Sequence, residues 1–118
     1  MARAATTTDA FNAVAEPRRR QILALLARDG ERSVNDVARS LRVRQPQASK
    51  HLRVLRKVGL VRVRSAGQQR LYQINAEGLK PIHDWVSAFE RHWNESLDRL
   101  DTYLKELQKK EQHDGREH

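Results

Sequence analysis

Apolar positions along this chain keep three rhythms. Through the first half they recur at helical spacing, as Phe11, Val14 and Ala15, then Ile22, Leu23, Leu25 and Leu26, then Val37, Ala38 and Leu41, then Ala48, Leu52 and Leu55. Between Leu60 and Ile74 they alternate with polar residues. From Leu79 to Lys109 helical spacing resumes, and Ile82, Trp85, Val86, Phe89, Trp93, Leu97, Leu100, Tyr103, Leu104 and Leu107 project within a stripe about 120° wide.

The boundaries follow from capping chemistry. Thr8 or Asp9 can cap a short helix that ends near Glu16-Pro17, and Pro17 opens a second, Arg18 to Arg28, stopped by Asp29-Gly30. Ser33, followed three residues later by Asp36, has the pattern of a helix start. Arg42-Val43-Arg44 then turns the chain into another helix, with Pro46 in its first turn and Gly59 at its stop. Two short helices joined by such a turn form a helix-turn-helix over residues 33–57. The alternating segment reads as a hairpin, with Ser65-Ala66-Gly67-Gln68 as its turn, and whether Leu71 or Tyr72 faces the core is left open by alternation. Asn75 can cap the next helical segment, Gly78 and Pro81 suggest an irregular first turn, and residues 79–109 read as one helix about 45 Å long. Residues 1–7 and 111–118 read as disordered polar tails.

The fold class is therefore mainly α with a small β-hairpin: a winged helix-turn-helix in which two helices precede the helix pair, a hairpin at 60–74 forms the wing, and a long helix closes the chain. A chain of 118 residues forms one domain by size and gains from burying surface against a partner. The long helix has more apolar surface than so small a core covers. A homodimer is expected, with helices 9–16 and 79–109 at its interface and Phe11, Val14, Trp85, Phe89, Trp93, Leu97, Leu100 and Leu104 as contact residues.

Charge gives the middle of the chain its meaning. Residues 37–76 hold Arg39, Arg42, Arg44, Lys50, Arg53, Arg56, Lys57, Arg62, Arg64 and Arg70 and no acidic residue, while elsewhere the 15 acidic residues outnumber the remaining basic ones. The whole excess of +8 lies here, and a polyanion partner accounts for it better than a solvated surface of mixed sign. In the helix after the turn, Ala48, His51, Leu52 and Leu55 share one arc, and Lys50, Arg53 and Lys57 lie opposite. Gln45, Gln47 and Ser49 occupy its leading end, where such side chains can read base edges in a major groove. Arg64, Gln68, Gln69 and Arg70 on the hairpin can reach a phosphate or the minor groove, though a purely structural hairpin is the alternative. Arg18-Arg19-Arg20 oppose the helix dipole, so an anion should compensate them; carboxylates of the C-terminal helix and DNA phosphate are the two candidates.

Other chemistry is excluded. No cysteine is present, which removes disulfides and thiolate metal sites. No apolar run approaches a membrane span, and a soluble, unexported, cytoplasmic protein is expected. No nucleophile with its base, no glycine-rich phosphate loop and no metal-ligand spacing occurs, so catalysis is not expected.

The order of elements, with Gln45-Pro46-x-x-Ser49-Lys50-His51-Leu52-x-x-Leu55-x-x-x-Gly59-Leu60-Val61, resembles the ArsR/SmtB family of bacterial winged-helix regulators over about residues 9–108. The resemblance implies a homodimeric repressor of a palindromic double-stranded DNA operator, often beside its own gene. Many such repressors release DNA on binding a metal or small-molecule inducer. It assigns recognition to Gln45, Gln47, Ser49 and Lys50, backbone contact to Arg53 and the wing tip to Gly67. Arg44 departs from the family, standing where a capping Ser is common. The aromatic C-terminal helix, with Leu97-Asp98-x-Leu100, resembles the autorepressor subgroup without a recognised metal site. Ser33 and Asn35 stand where metal-sensing members carry paired cysteines, and they cannot replace thiolates for a soft metal. His83, Asp84 and His92 are the candidates for the family's other zinc site. On one helix the two histidines lie about 180° apart, so a single chain cannot join them; an intersubunit site is the geometric alternative, and ordinary surface or interface histidines are expected. The expected function is a sequence-specific repressor without metal or cofactor. Its alternative is a winged-helix module that binds nucleic acid or protein without sequence choice.

Overall fold

The first three helices begin where a side chain takes up their free N–H groups, and the computed structural model, which describes residues 9–116, shows which side chains do so. Asp9 accepts from the Asn12 N–H at 2.8 Å and opens α1 (Ala10–Val14). Glu16 accepts from the Arg18 N–H at 2.9 Å ahead of α2 (Pro17–Asp29), with Pro17 at its first turn. Ser33 accepts from the Asp36 N–H at 3.2 Å and opens α3 (Val34–Leu41). The fourth helix, α4 (Gln45–Lys57), begins at Arg44, which is extended and makes no side-chain cap, consistent with its departure from the usual Ser. Past α4 the N–H groups of Gly59 and Leu60 return to Arg56 and Leu55 at 3.0 and 2.9 Å, the paired closure of a helix end. The same closure ends α3 through Arg42 and Val43, but with an arginine rather than glycine in the left-handed conformation (φ 56, ψ 43).

The hairpin consists of β2 (Val61–Ala66) and β3 (Gln69–Ile74), in register from Val61 opposite Ile74 to Ala66 opposite Gln69. Its turn is narrower than expected: Ser65 and Ala66 belong to the strand, leaving Gly67 (φ +64) and Gln68 as a two-residue turn. A third strand, β1 (Arg32–Ser33), pairs with Leu71 and Tyr72, so the sheet has the order β1-β3-β2. The open question at Leu71 and Tyr72 resolves in favour of Tyr72, which with Ile74 packs against the core.

That core joins Ala10 and Ala13 of α1, Ile22, Leu23, Leu25 and Leu26 of α2, Val37 and Ala38 of α3, Ala48, Leu52 and Leu55 of α4, and Leu60 and Val61. The predicted buried and cationic faces of α4 are thus observed. In α1 the alanines are buried instead, and Phe11 is 40% exposed. Two arginines of the Arg18-Arg19-Arg20 triplet find partial negative charge within the chain's own first turn of structure. Arg19 Nε donates to the Ala13 carbonyl at 2.7 Å, and Arg20 Nη1 to the Val14 and Ala15 carbonyls at 2.7 and 3.2 Å. The free carbonyls at the end of α1 carry the partial negative charge that satisfies them.

Asn75 does not cap the following turn. Its Nδ2 donates to the Gly59 carbonyl at 2.8 Å and its N–H to the Leu60 carbonyl at 2.9 Å, tying the end of β3 to the end of α4. A 3-10 turn (Ala76–Leu79) follows, the expected irregular start, and a Cβ on Gly78 would overlap the Gly59 carbonyl.

The stretch expected as one helix is two: α5 (Lys80–Ser87) and α6 (Glu90–Arg116). Between them the N–H groups of Ala88 and Phe89 bond three residues back, to Trp85 and Val86, at 3.2 and 2.9 Å, which tightens the backbone out of α-helical register. Trp85 and Phe89 pack edge to face beside this break, with ring centroids 5.3 Å apart. The helix α6 extends through residues 111–116, where a tail was expected; the other expected tail, residues 1–7, lies outside the described residues. The chain forms two compact units, one up to His83 and one from Asp84. Within the second, Trp85, Phe89, Trp93, Leu97, Leu100, Tyr103, Leu104 and Leu107 are all exposed, Leu97 by 61%. No helix among the described residues is long and apolar enough to cross a membrane.

Candidate nucleic-acid interface

Burial of Ala48, Leu52 and Leu55 fixes how α4 lies, and the helix period then turns Arg44, Gln45, Gln47, Lys50, Arg53 and Lys57 outward, all exposed. Ser49 is half-buried at the edge of this face. On the hairpin, Arg64, Gly67, Gln68, Gln69 and Arg70 are exposed as well.

A cleft of about 330 Å³ separates the leading end of α4 from the wing. Gln45 and Ser49 line one side, Gln68, Gln69 and Arg70 the other, and Ser33, Val34, Asn35 and Tyr72 close it. Five of the residues expected to touch DNA therefore meet across one groove. The start of α3 was not among those expected. The sequence marks Ser33 as a helix start, but it is the pairing of β1 with β3 that brings this start to the cleft.

Ion pairing sorts the cations of this region. Arg39 meets Asp36 at 3.3 Å, Arg62 meets Glu77 at 3.9 Å, and Arg64 meets Glu31 through two hydrogen bonds of 2.8 and 2.6 Å. That bridge holds the Glu31 carboxyl below the usual carboxylate range and raises the guanidinium above its own. Among the described residues no carboxylate pairs with Arg42, Arg44, Lys50, Arg53, Arg56, Lys57 or Arg70. These seven lie on the turn before α4, along α4 and near the wing tip. Arg42 and Arg56 were not singled out as contacts from sequence, and their exposed, unpaired state is what adds them.

His51 sits at the margin of the buried face. Its Nδ1 is buried and has no hydrogen-bond partner among the described residues. Burial, then the cations of Arg19, Lys50 and Arg18, push its imidazole below the ordinary value of 6.5, against the opposing pull of Glu16.

Residues 16–63, from the cap of α2 into β2, match the family described as bacterial regulatory protein, arsR family. An HTH-type transcriptional regulator of Mycobacterium tuberculosis is 38% identical over 88 residues, spanning 75% of this chain and 78% of its own length. The chain belongs to the ArsR family. The transcriptional repressor SdpR of Bacillus subtilis is 30% identical over 79 residues, covering 67% of this chain and 87% of that protein. Among solved structures, a homodimeric winged helix-turn-helix DNA-binding domain from Mycobacterium bovis, a possible ArsR-family transcriptional regulator, superposes with a TM-score of 0.56 at 34% identity. It covers 69% of this chain and 74% of that one. As an ArsR-family member the chain is a winged helix-turn-helix transcriptional regulator and not an enzyme. In this ArsR-family chain Ser33 uses its hydroxyl to cap α3.

Proposed function

We propose that this ArsR-family chain is a cytoplasmic, homodimeric repressor that reads a palindromic operator, controls its own gene and does so without sensing a metal. The observation that carries the reading is the set of seven exposed cations without a carboxylate partner among the described residues, on the turn before α4, along α4 and near the wing tip. Lys50, Arg53 and Lys57 then supply salt-dependent attraction to phosphates, while Gln45, Gln47 and Ser49 read base edges and Gln68, Gln69 and Arg70 follow the backbone from the wing. Repression is supported by the likeness to a protein named as a transcriptional repressor. Dimerisation is supported by the homodimeric state of the M. bovis domain and by the exposed apolar face of α6, which a second copy would cover. Phe11 on α1 offers a further exposed contact, whereas Val14 is partly covered by the chain's own core. The absence of cysteine and the capping role of Ser33 support the lack of a thiolate sensor.

Selection of duplexes from a random-sequence pool by the full chain tests this. The expected product is a palindrome with half-sites about 34 Å apart, centre to centre, bound far more tightly than random duplex and with steep salt dependence. Arg53→Ala should then weaken binding to all sequences alike, and Gln47→Ala should relax choice at one base position. Equal affinity for selected and random duplex would overturn the specific-repressor reading in favour of a non-specific module. Zinc or arsenite that released the selected duplex would overturn the claim about metals.

A further inference from the structure

The three strand arginines of the wing point to different faces of the sheet. Val61 and Val63 pair with Ile74 and Tyr72 on the face that packs onto the core, and Ser65 opposite Arg70 continues that face to the wing tip. Arg62 and Arg64, paired with Gln73 and Leu71, lie on the reverse face. Arg70 accordingly lines the cleft opposite Gln45 and Ser49, and no carboxylate among the described residues pairs with it.

Arg64 is engaged elsewhere. Its Nε and Nη2 donate to Glu31 Oε2 and Oε1 at 2.8 and 2.6 Å, a two-point contact that fixes orientation as well as distance. Glu31 immediately precedes β1, whose Ser33 pairs with Leu71, and Leu71 in turn pairs with Arg64. The bridge therefore spans the whole three-stranded sheet and joins the outer strand of the wing to the segment that caps α3. Glu31 is 25% exposed and Arg64 58%. Transfer of Arg64 to a phosphate would break two charge-assisted hydrogen bonds and leave a carboxylate unpaired beside a polyanion, which repels it.

We propose that Glu31 and Arg64 are positioning residues that set the wing against α3 and α4, and that Arg70 is the strand arginine through which the wing meets phosphate. This rests on the DNA-binding reading above, and its test separates the two.

The full chain is titrated with a mixed-sequence duplex over a range of salt concentrations, alongside Glu31→Arg, Arg64→Glu and Arg70→Glu and the two double variants that combine Glu31→Arg with either arginine change. Amide exchange of β2 and β3 is followed in the free proteins, with Glu31→Gln as the mildest change. Arg64→Glu should weaken binding by about threefold to tenfold, and Glu31→Arg in the same chain should restore both affinity and salt slope. Arg70→Glu should lower the salt slope by roughly 0.9, one phosphate contact, and Glu31→Arg should not restore it. Wing amides should exchange faster in Glu31→Gln and Arg64→Glu and return to wild-type rates in the charge-swapped pair. The assignment is overturned if Arg64→Glu lowers the slope and is not rescued, if Glu31→Arg rescues Arg70→Glu equally well, or if wing exchange does not change. A wild-type chain without salt-dependent binding would instead overturn the DNA reading, and amide exchange would still decide the role of the Glu31–Arg64 bridge.

Discussion

Arg42 holds a conformation that suits glycine, and the strain sits in the turn that aims α4. A left-handed non-glycine residue costs on the order of 1 kcal/mol. Arg42→Gly should therefore raise the unfolding free energy by about 0.5–1 kcal/mol, read by chemical denaturation, while removing one of the seven unpaired cations and weakening duplex binding. His51 yields a prediction of a different kind. Its pKa in the folded chain lies below the ordinary 6.5, so the unfolded state binds the proton more readily. The stability contributed by the neutral imidazole is full above pH 6.5 and is lost as pH falls through the depressed folded value. Denaturation midpoints measured from pH 8 to pH 5 should fall on the acid side, and His51→Gln should flatten that dependence.

At the level of elements, the latch between β3 and α4 is the most sensitive point. Gly78 lies so close to the Gly59 carbonyl that a methyl group forces the two apart, and Asn75 bonds to that same carbonyl. Gly78→Ala should cost about 1–3 kcal/mol in a denaturant titration; an unchanged midpoint would show that the latch yields freely. Helices α1 to α4 were legible because their signals are local: Asp9, Ser33, Pro17 and Gly59 act on backbone groups within a few residues. What escaped the sequence acts over distance or through the backbone. The strand β1 is two residues long and acquires its identity only from partners nearly forty residues onward. Glu31 and Arg64 are likewise separated by 33 residues. The anion that answers Arg19 and Arg20 is a helix end, which no side chain announces. The break at Ala88–Phe89 contains neither proline nor glycine, and the apolar stripe passes across it without a missed beat, so periodicity alone reads one helix.

For the molecule as a whole, the same stripe is the strongest sign of a second copy. The helix α6 has 27 residues, roughly 40 Å, with Trp93, Leu97, Leu100, Leu104 and Leu107 all exposed along it. Leu97→Lys together with Leu100→Glu should convert a dimer to a monomer at micromolar concentration in sedimentation, leave the fold of the first unit intact by circular dichroism, and reduce operator affinity at least tenfold through loss of the linked half-site. The candidate interface was legible in sequence as a set of residues because helix period decides which of them turn outward. Its electrostatics were not, since charge counts do not reveal which arginines already have a carboxylate.

Because Asn75 and Gly78 bring the end of β3 back to the place where α4 stopped, the two roots of the wing meet, while β1 and the Glu31–Arg64 bridge hold its strands. It is an excursion with closed ends, and its tip at Gly67-Gln68 can vary in length without moving the helices below. Doubling such a loop costs only about 0.6 kcal/mol in closure entropy. The tip is therefore the part of the hairpin most open to a change of length.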